Sequence, residues 1–132
     1  MIGAQNKRKG SDAERYYAKI FKNLGFSYCV TSRYGSRIHD DAGIDLINLP
    51  FNVQIKAGKQ KNMNVSKVLH EITNRIKNMF PSIAPEHNRP LVLIHRKEVG
   101  RGRKRNNFHD IVSMSFEDFK KIINLIEKEK WD

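Results

Sequence analysis

The chain has 132 residues, 39% hydrophobic and 30% charged, and its 25 Lys and Arg against 14 Asp and Glu give a formal net charge of +11. This length and balance suit one domain with its own core and exclude a disordered chain, and no apolar run approaches the roughly 18 residues that cross a bilayer. The basic surplus points to a polyanion, because lysine and arginine displace condensed counterions from phosphates, and nucleic-acid binding is favoured over ribosome-like packing or mere solubility.

Residues 1–10, MIGAQNKRKG, read as a flexible basic arm before a single domain over 11–132. They contain no apolar stretch of a secretory signal. A first helix is expected from Ser11, with Glu14 in the capping-box position, Tyr17, Ile20, Phe21 and Leu24 at helical spacing, and Gly25 as the stop. FSYCVTSR alternates in the manner of a strand. Its Cys29, the single cysteine, cannot form an intrachain disulfide, so a reducing, cytoplasmic setting is expected. YGSRIHDDAG follows as a Gly and Ser loop.

Two short runs, Ile44 to Leu49 and Val53 to Ala57, are expected as a hairpin joined across Pro50 and Asn52. On the second, Val53, Ile55 and Ala57 share one face and leave Gln54 and Lys56 on the other. On the first, Ile44 and Leu46 share a face opposite Asp45. If both apolar faces pack on the same core, Asp45, Gln54 and Lys56 converge on one surface. Beyond the hairpin, Val65, Val68, Leu69, Ile72, Ile76 and Met79 form a helical stripe, RPLVLIHR reads as a buried strand, FHDIVSMS as another, and SFEDFKKIINLIEKE as a last helix capped by Ser115. The expected order is α-β-β-β-α-β-β-α, an α/β domain.

KRKGSDAERYYAKIFKNLGF, TSRYGSR, GIDLI and VQIKAG, in that order over roughly residues 7–60, resemble the archaeal-type Holliday junction resolvases of the restriction-endonuclease-like, PD-(D/E)xK nuclease superfamily. The resemblance implies a central mixed β-sheet flanked by helices, and magnesium-dependent cleavage of four-way or other branched DNA by a homodimer. It assigns metal binding to Asp45 and to position 54, a supporting acid to Glu14, catalysis to Lys56, and an approach to the scissile phosphate to Ser36. The departure is Gln54, where the family pattern has an acid.

Magnesium prefers oxygen ligands and keeps several waters, so one or two carboxylates plus substrate oxygens suffice. Asp45 and Glu14 would supply charge, and the Gln54 side-chain oxygen and the Ile55 carbonyl would add neutral oxygens. Without an acid at 54, metal is expected to bind weakly until DNA brings a phosphate. Mn2+ is the expected substitute. Lys56 would orient water or stabilise developing negative charge. Each residue also has a plainer reading: Asp45 as a turn acid, Lys56 as a solvated strand residue, Glu14 as a helix cap. Asp40 and Asp41 read as loop acids in solvent, with replacement of the missing acid as the alternative, and His39 as loop surface rather than a general base.

HEITNR at His70 lacks the second histidine of a zinc-protease helix, and GRGRKR lacks the strand-to-helix context of a nucleotide loop. The latter reads instead as a basic hairpin tip. Expected DNA contacts are Lys7, Arg8 and Lys9 in the arm, Arg33 and Arg37 beside the site, and Arg101, Arg103, Lys104 and Arg105 in the later loop. Such contacts position a backbone without reading sequence. Ile122, Ile123, Leu125, Ile126 and Trp131 on the last helix offer a dimer surface or, as simply, intramolecular core. A nicking or restriction-type enzyme of the same fold, acting on linear duplex, and a basic binding module with a degraded site are the rival readings. Small size and basicity also suit a phage protein acting in a host cytoplasm.

Overall fold

The computed structural model describes the backbone of residues 2–58 and 63–126, and within those ranges the side chains from residue 10 onward. Its elements are α1 (Ile2–Asn23), β1 (Val30–Thr31), α2 (Ser32–Gly35), α3 (Arg37–Ala42), β2 (Leu46–Ile47), β3 (Asn52–Gly58), α4 (Val65–Met79), β4 (Leu91–Lys97), β5 (Asp110–Ser113) and α5 (Phe116–Leu125), with single 3-10 turns at Pro85–His87 and Asn107–His109. The strands form one five-stranded sheet in the order β1-β2-β3-β4-β5. β3 and β4 are parallel, joined through α4, and the remaining pairs are antiparallel. The chain is therefore a mixed α/β domain with helices flanking a mixed sheet.

α1 begins at Ile2 rather than at Ser11, so the backbone of residues 2–10, expected as a flexible arm, is helical. Ser11 and Glu14 consequently lie inside the helix and form no capping box. Ser11 Oγ instead accepts from Arg15 Nη1 at 3.1 Å. The helix stops where expected: Gly25 has φ +113°, its N–H reaches the Lys22 carbonyl at 3.1 Å, and the Phe26 N–H reaches the Phe21 carbonyl at 3.0 Å. This paired closure needs the left-handed conformation that glycine adopts freely. Leu24, expected on the apolar stripe, is exposed because it is the residue at which the helix turns off.

Two apolar clusters lie on opposite faces of the sheet. One joins Ala13, Tyr17 and Ala18 of α1 to Cys29, Leu46, Val53, Ile55, Val92 and Ile94. The other joins Ile72 and Ile76 of α4 to Ala42, Ile44, Phe80 and Leu91. Alternation along β4 explains the division: Val92 and Ile94 point towards α1, and Leu91 points towards α4. Burying each such aliphatic side chain contributes about 1.5–3 kcal/mol. α4 and α5 start as expected, with Asn64 accepting the Lys67 N–H and Ser115 the Asp118 N–H, both at 3.1 Å.

Two expectations change here. The stretch expected as one strand from Phe26 to Arg33 pairs only at Val30 and Thr31, and the loop after it contains α2 and α3. Ile44 and Leu46 do not share a face, since Ile44 packs with α4 and Leu46 with α1. The cause is Gly43, at φ +90° immediately after α3. The chain takes up strand geometry only at Leu46, so period-two alternation does not reach back to Ile44.

Candidate functional site

Glu14 lies on the inward face of α1 between Ala13 and Tyr17, and is 3% exposed. A carboxylate placed there must find partners, because an isolated buried charge is strongly unfavourable. Arg33 of α2 supplies one, donating from Nε to Glu14 Oε2 at 2.5 Å. Asp45, 8% exposed, is held just ahead of β2 by three backbone bonds. Its N–H donates to the Val53 carbonyl at 2.7 Å, its carbonyl accepts from Ser32 N–H at 2.9 Å, and its Oδ2 accepts from Ile55 N–H at 2.7 Å.

Asp40 on α3 completes the group. One carboxylate oxygen from each of Glu14, Asp40 and Asp45 lies within 4.8 Å of the others, and these three residues could hold a metal ion. Two of the three are buried and Asp40 is exposed, which leaves the cluster open on the α3 side. Asp40 is thus not merely a loop acid in solvent; it stands with Asp45 although Gln54 is not an acid. The buried Ser32 hydroxyl donates to Asp40 Oδ1 at 3.4 Å.

Burial pushes the Asp45 carboxyl up to about 8, against the opposing pull of the Ile55 N–H, and the Glu14 and Asp40 carboxylates push it further in the same direction. At neutral pH, without a metal ion, Asp45 therefore favours its protonated form. A divalent ion would replace that proton, since metal ligands must be ionised. The Arg33 guanidinium is held more firmly protonated than usual, chiefly by its bond to Glu14, with Asp40 and Asp45 adding to it against desolvation.

Gln54 and Lys56 flank Ile55, the residue whose N–H binds Asp45. Both are half-buried, as alternation on β3 requires. Gln54 Nε2 donates to the Ile55 carbonyl at 3.3 Å. A Cβ on Gly43 would come within 3.0 Å of Gln54 Oε1 and 3.5 Å of Arg75 Nη1, so Gln54 reaches over Gly43. Across the β3–β4 ladder Lys56 is paired in register with His95, itself buried. Nothing in the sequence singled out His95, because in RPLVLIHR it reads as the end of an apolar run.

Ser36, expected to approach the scissile phosphate, stands at the start of α3. It caps α3, and its Oγ is 2.6 Å from His39 Nδ1. His39 packs against Phe80, with ring centroids 5.0 Å apart, and burial lowers its pKa. The serine adjoining the carboxylates is Ser32. It lies in the same string, TSRYGSR, but only the turn made by α2 reveals which of its two serines faces Asp40.

The basic residues also divide. Arg37 is exposed and pairs loosely with Asp41 at 3.7 Å, and Arg101, Arg103 and Lys104 are exposed. Arg105 turns inward: Nη1 donates to the Lys97 carbonyl at 2.8 Å, and Nη2 to the His109 carbonyl at 3.1 Å and to Asp110 Oδ1 at 2.9 Å. Asp110 also accepts from the Tyr17 hydroxyl. Arg105 therefore ties the basic loop to β5 rather than presenting its charge at a hairpin tip. The side chains of Lys7, Arg8 and Lys9, and Trp131, lie outside the described residues. Among the described residues no helix is long and apolar enough to cross a membrane.

The chain matches no protein-family model, no curated protein and no solved structure, so the chemistry of this cluster is argued from its own residues.

Proposed function

We propose that the protein is a metal-dependent, structure-specific DNA endonuclease of the restriction-endonuclease-like fold, hydrolysing phosphodiesters in four-way or other branched DNA. The observation that carries this reading is the meeting of Glu14, Asp40 and Asp45 within 4.8 Å, beside the strand that bears Lys56, in a chain of net charge +11. Three carboxylate oxygens suit a hard divalent cation, Mg2+ first and Mn2+ as its substitute. Bound there, such an ion would polarise a phosphate and lower the pKa of a ligated water.

The protein's own groups fill the remaining roles. Asp45, fixed by the Ile55 N–H, and Glu14, fixed on α1, form the rigid part of the carboxylate group. Asp40 supplies the charge that Gln54 lacks, and Gln54 is left as a neutral neighbour on β3. Lys56 stabilises negative charge developing on the phosphate or orients the attacking water. Arg37, Arg101, Arg103 and Lys104 contact backbone phosphates, which positions a duplex arm without selecting its sequence. Recognition by branched shape fits this set, because exposed basic groups on α3 and on the loop between β4 and β5 can meet different arms.

Symmetric cleavage of a junction requires two sites, and we assign the second to another copy of the chain. Phe116, Phe119, Ile123 and Ile126, at and just beyond α5, form an exposed apolar stripe that supports this assignment. Ile122 on the same helix is only partly buried, and Leu125 is exposed.

The test is incubation of labelled four-way junction and matched linear duplex with the full chain in Mg2+, Mn2+ or EDTA. Paired, metal-dependent nicks confined to the junction are expected. Equal cutting of linear duplex would replace the junction with a restriction-type or nicking activity. Tight binding with no cuts in either metal would leave a binding module.

A further inference from the structure

The carboxylate cluster already has a cation in it. Arg33 Nε is 2.5 Å from Glu14 Oε2, and the guanidinium also interacts electrostatically with Asp40 and Asp45. Its path to the cluster runs across α1 at Gly10, where a Cβ would sit 3.6 Å from Arg33 Nη2. The two partners differ sharply in freedom. The Glu14 side chain is 4% exposed on a 22-residue helix, whereas that of Arg33 is 42% exposed on the four-residue α2. Glu14 is held in place, and Arg33 has solvent to move into.

A guanidinium and a divalent ion are alternative counter-ions for the same oxygens. Both cannot neutralise Glu14 in full, because like charges at such separation repel. From the pairing of a fixed buried carboxylate with a movable half-exposed arginine, we infer that Arg33 is a resident counter-ion, displaced from Glu14 when a divalent cation binds and thereby freed to contact a DNA phosphate. The inference rests on the metal-site reading above. It makes Arg33 the coupling between the two ligands: metal releases the arginine for DNA, and by reciprocity DNA that captures the arginine opens the carboxylates to metal.

The first test measures Mn2+ binding by EPR to the full chain without DNA. Wild type is compared with Arg33→Gln and with Lys120→Gln, which removes a charge on exposed α5. Hydrogen bonds to charged groups are stronger than neutral ones, so with this competitor removed Arg33→Gln is expected to bind Mn2+ at least about tenfold more tightly than wild type. The Lys120 variant should match wild type to within about twofold. In addition, Mn2+ should raise junction affinity less in Arg33→Gln than in wild type. Equal or weaker Mn2+ binding by Arg33→Gln would overturn the exchange.

A second measurement uses wild type alone, so that folding of the variant does not decide the matter. The Arg33 Nε–H resonance, assigned by its loss in Arg33→Lys, is followed by NMR during Mg2+ titration. A large shift and faster solvent exchange as Mg2+ saturates are expected, and an unmoved, protected resonance would overturn the proposal. Tighter Mn2+ binding by Arg33→Gln without DNA cleavage keeps the exchange and removes the nuclease. Metal-dependent cleavage with equal Mn2+ affinities does the reverse.

Discussion

Ile55 donates its backbone N–H to Asp45 Oδ2 at 2.7 Å, which ties the carboxyl to the strand carrying Gln54 and Lys56 on either side. This bond places an ionisable group from one segment at a set point on another, in a pocket where its charge is poorly solvated. Asp45→Asn keeps a side-chain oxygen to accept the Ile55 N–H and removes the charge. It is therefore expected to fold, to bind Mn2+ at least tenfold more weakly, and to be more stable than metal-free wild type at pH 8 by about 1–3 kcal/mol. Denaturant titration in EDTA and Mn2+ titration check the two halves separately.

The same carboxyl makes metal-free stability depend on pH. Its pKa rises from the ordinary 3.8 to about 8 in the folded protein, mainly by burial. The folded state thus holds the proton over a range in which the unfolded chain has lost it. The stability from this group is complete below the unfolded value and is lost as pH rises through the folded one, between about 4 and 8. Urea midpoints in EDTA should contain a component falling across that window, absent from Asp45→Asn. Saturating Mg2+ should reduce it, because the ion takes the place of the proton.

Asp40 and Gln54 separate two accounts of the missing acid. If Asp40 supplies the third charge, Asp40→Asn should weaken Mn2+ binding by tenfold or more. Gln54→Ala should change it by less than about threefold, since its amide donates to Ile55 and contributes no charge. Titrations of both variants by EPR give the comparison, and the opposite ranking would return position 54 to the metal site.

Gly43 is constrained twice, by φ +90° and by the 3.0 Å approach of Gln54 Oε1 to the site of a Cβ. Gly43→Ala should cost about 1–3 kcal/mol, the range for an L-residue held in a sparsely populated conformation and pressed against a neighbour. Because Asp45 follows two residues later, the variant should also weaken Mn2+ binding. Thermal unfolding and metal titration on one sample test both effects.

Arg103 and Arg105, two residues apart in one basic loop, should behave oppositely. Arg105→Ala removes three hydrogen bonds that tie the loop to Lys97, His109 and Asp110. It is expected to lose about 1–3 kcal/mol of stability. Arg103→Ala should leave the melting temperature nearly unchanged, lower junction affinity, and reduce the salt dependence of binding by about one phosphate contact. Melting curves and binding isotherms at several salt concentrations decide between them.

Periodicity was enough to read α4, β4 and α5 from the chain, because helix or strand geometry sets the spacing of apolar residues along one face, buried on α4 and β4 and left exposed on α5. Glycine chemistry was enough to end α1 at Gly25. The basic balance and the acid and lysine flanking the hairpin were legible for the same reason: they are local. The start of α1 was not, since its first residues lack the caps and apolar stripe by which helices announce themselves.

The tertiary structure alone brought Asp40 and Arg33 to the expected acids Glu14 and Asp45. Glu14 reads as a cap by its spacing from Ser11, and is a buried carboxylate because α1 turns the face that bears it, with Ala13 and Tyr17, onto the sheet. Asp40 reads as a loop acid, and meets Asp45 only because α3 and Gly43 fold the chain back between them. Arg33 and Arg105 look alike in a list of basic residues, yet one neutralises Glu14 and the other holds a loop to β5. Sequence patterns report which residues leave water, through the burial of regular faces. Which charged groups meet after that depends on turns whose direction is set by the packing of distant segments.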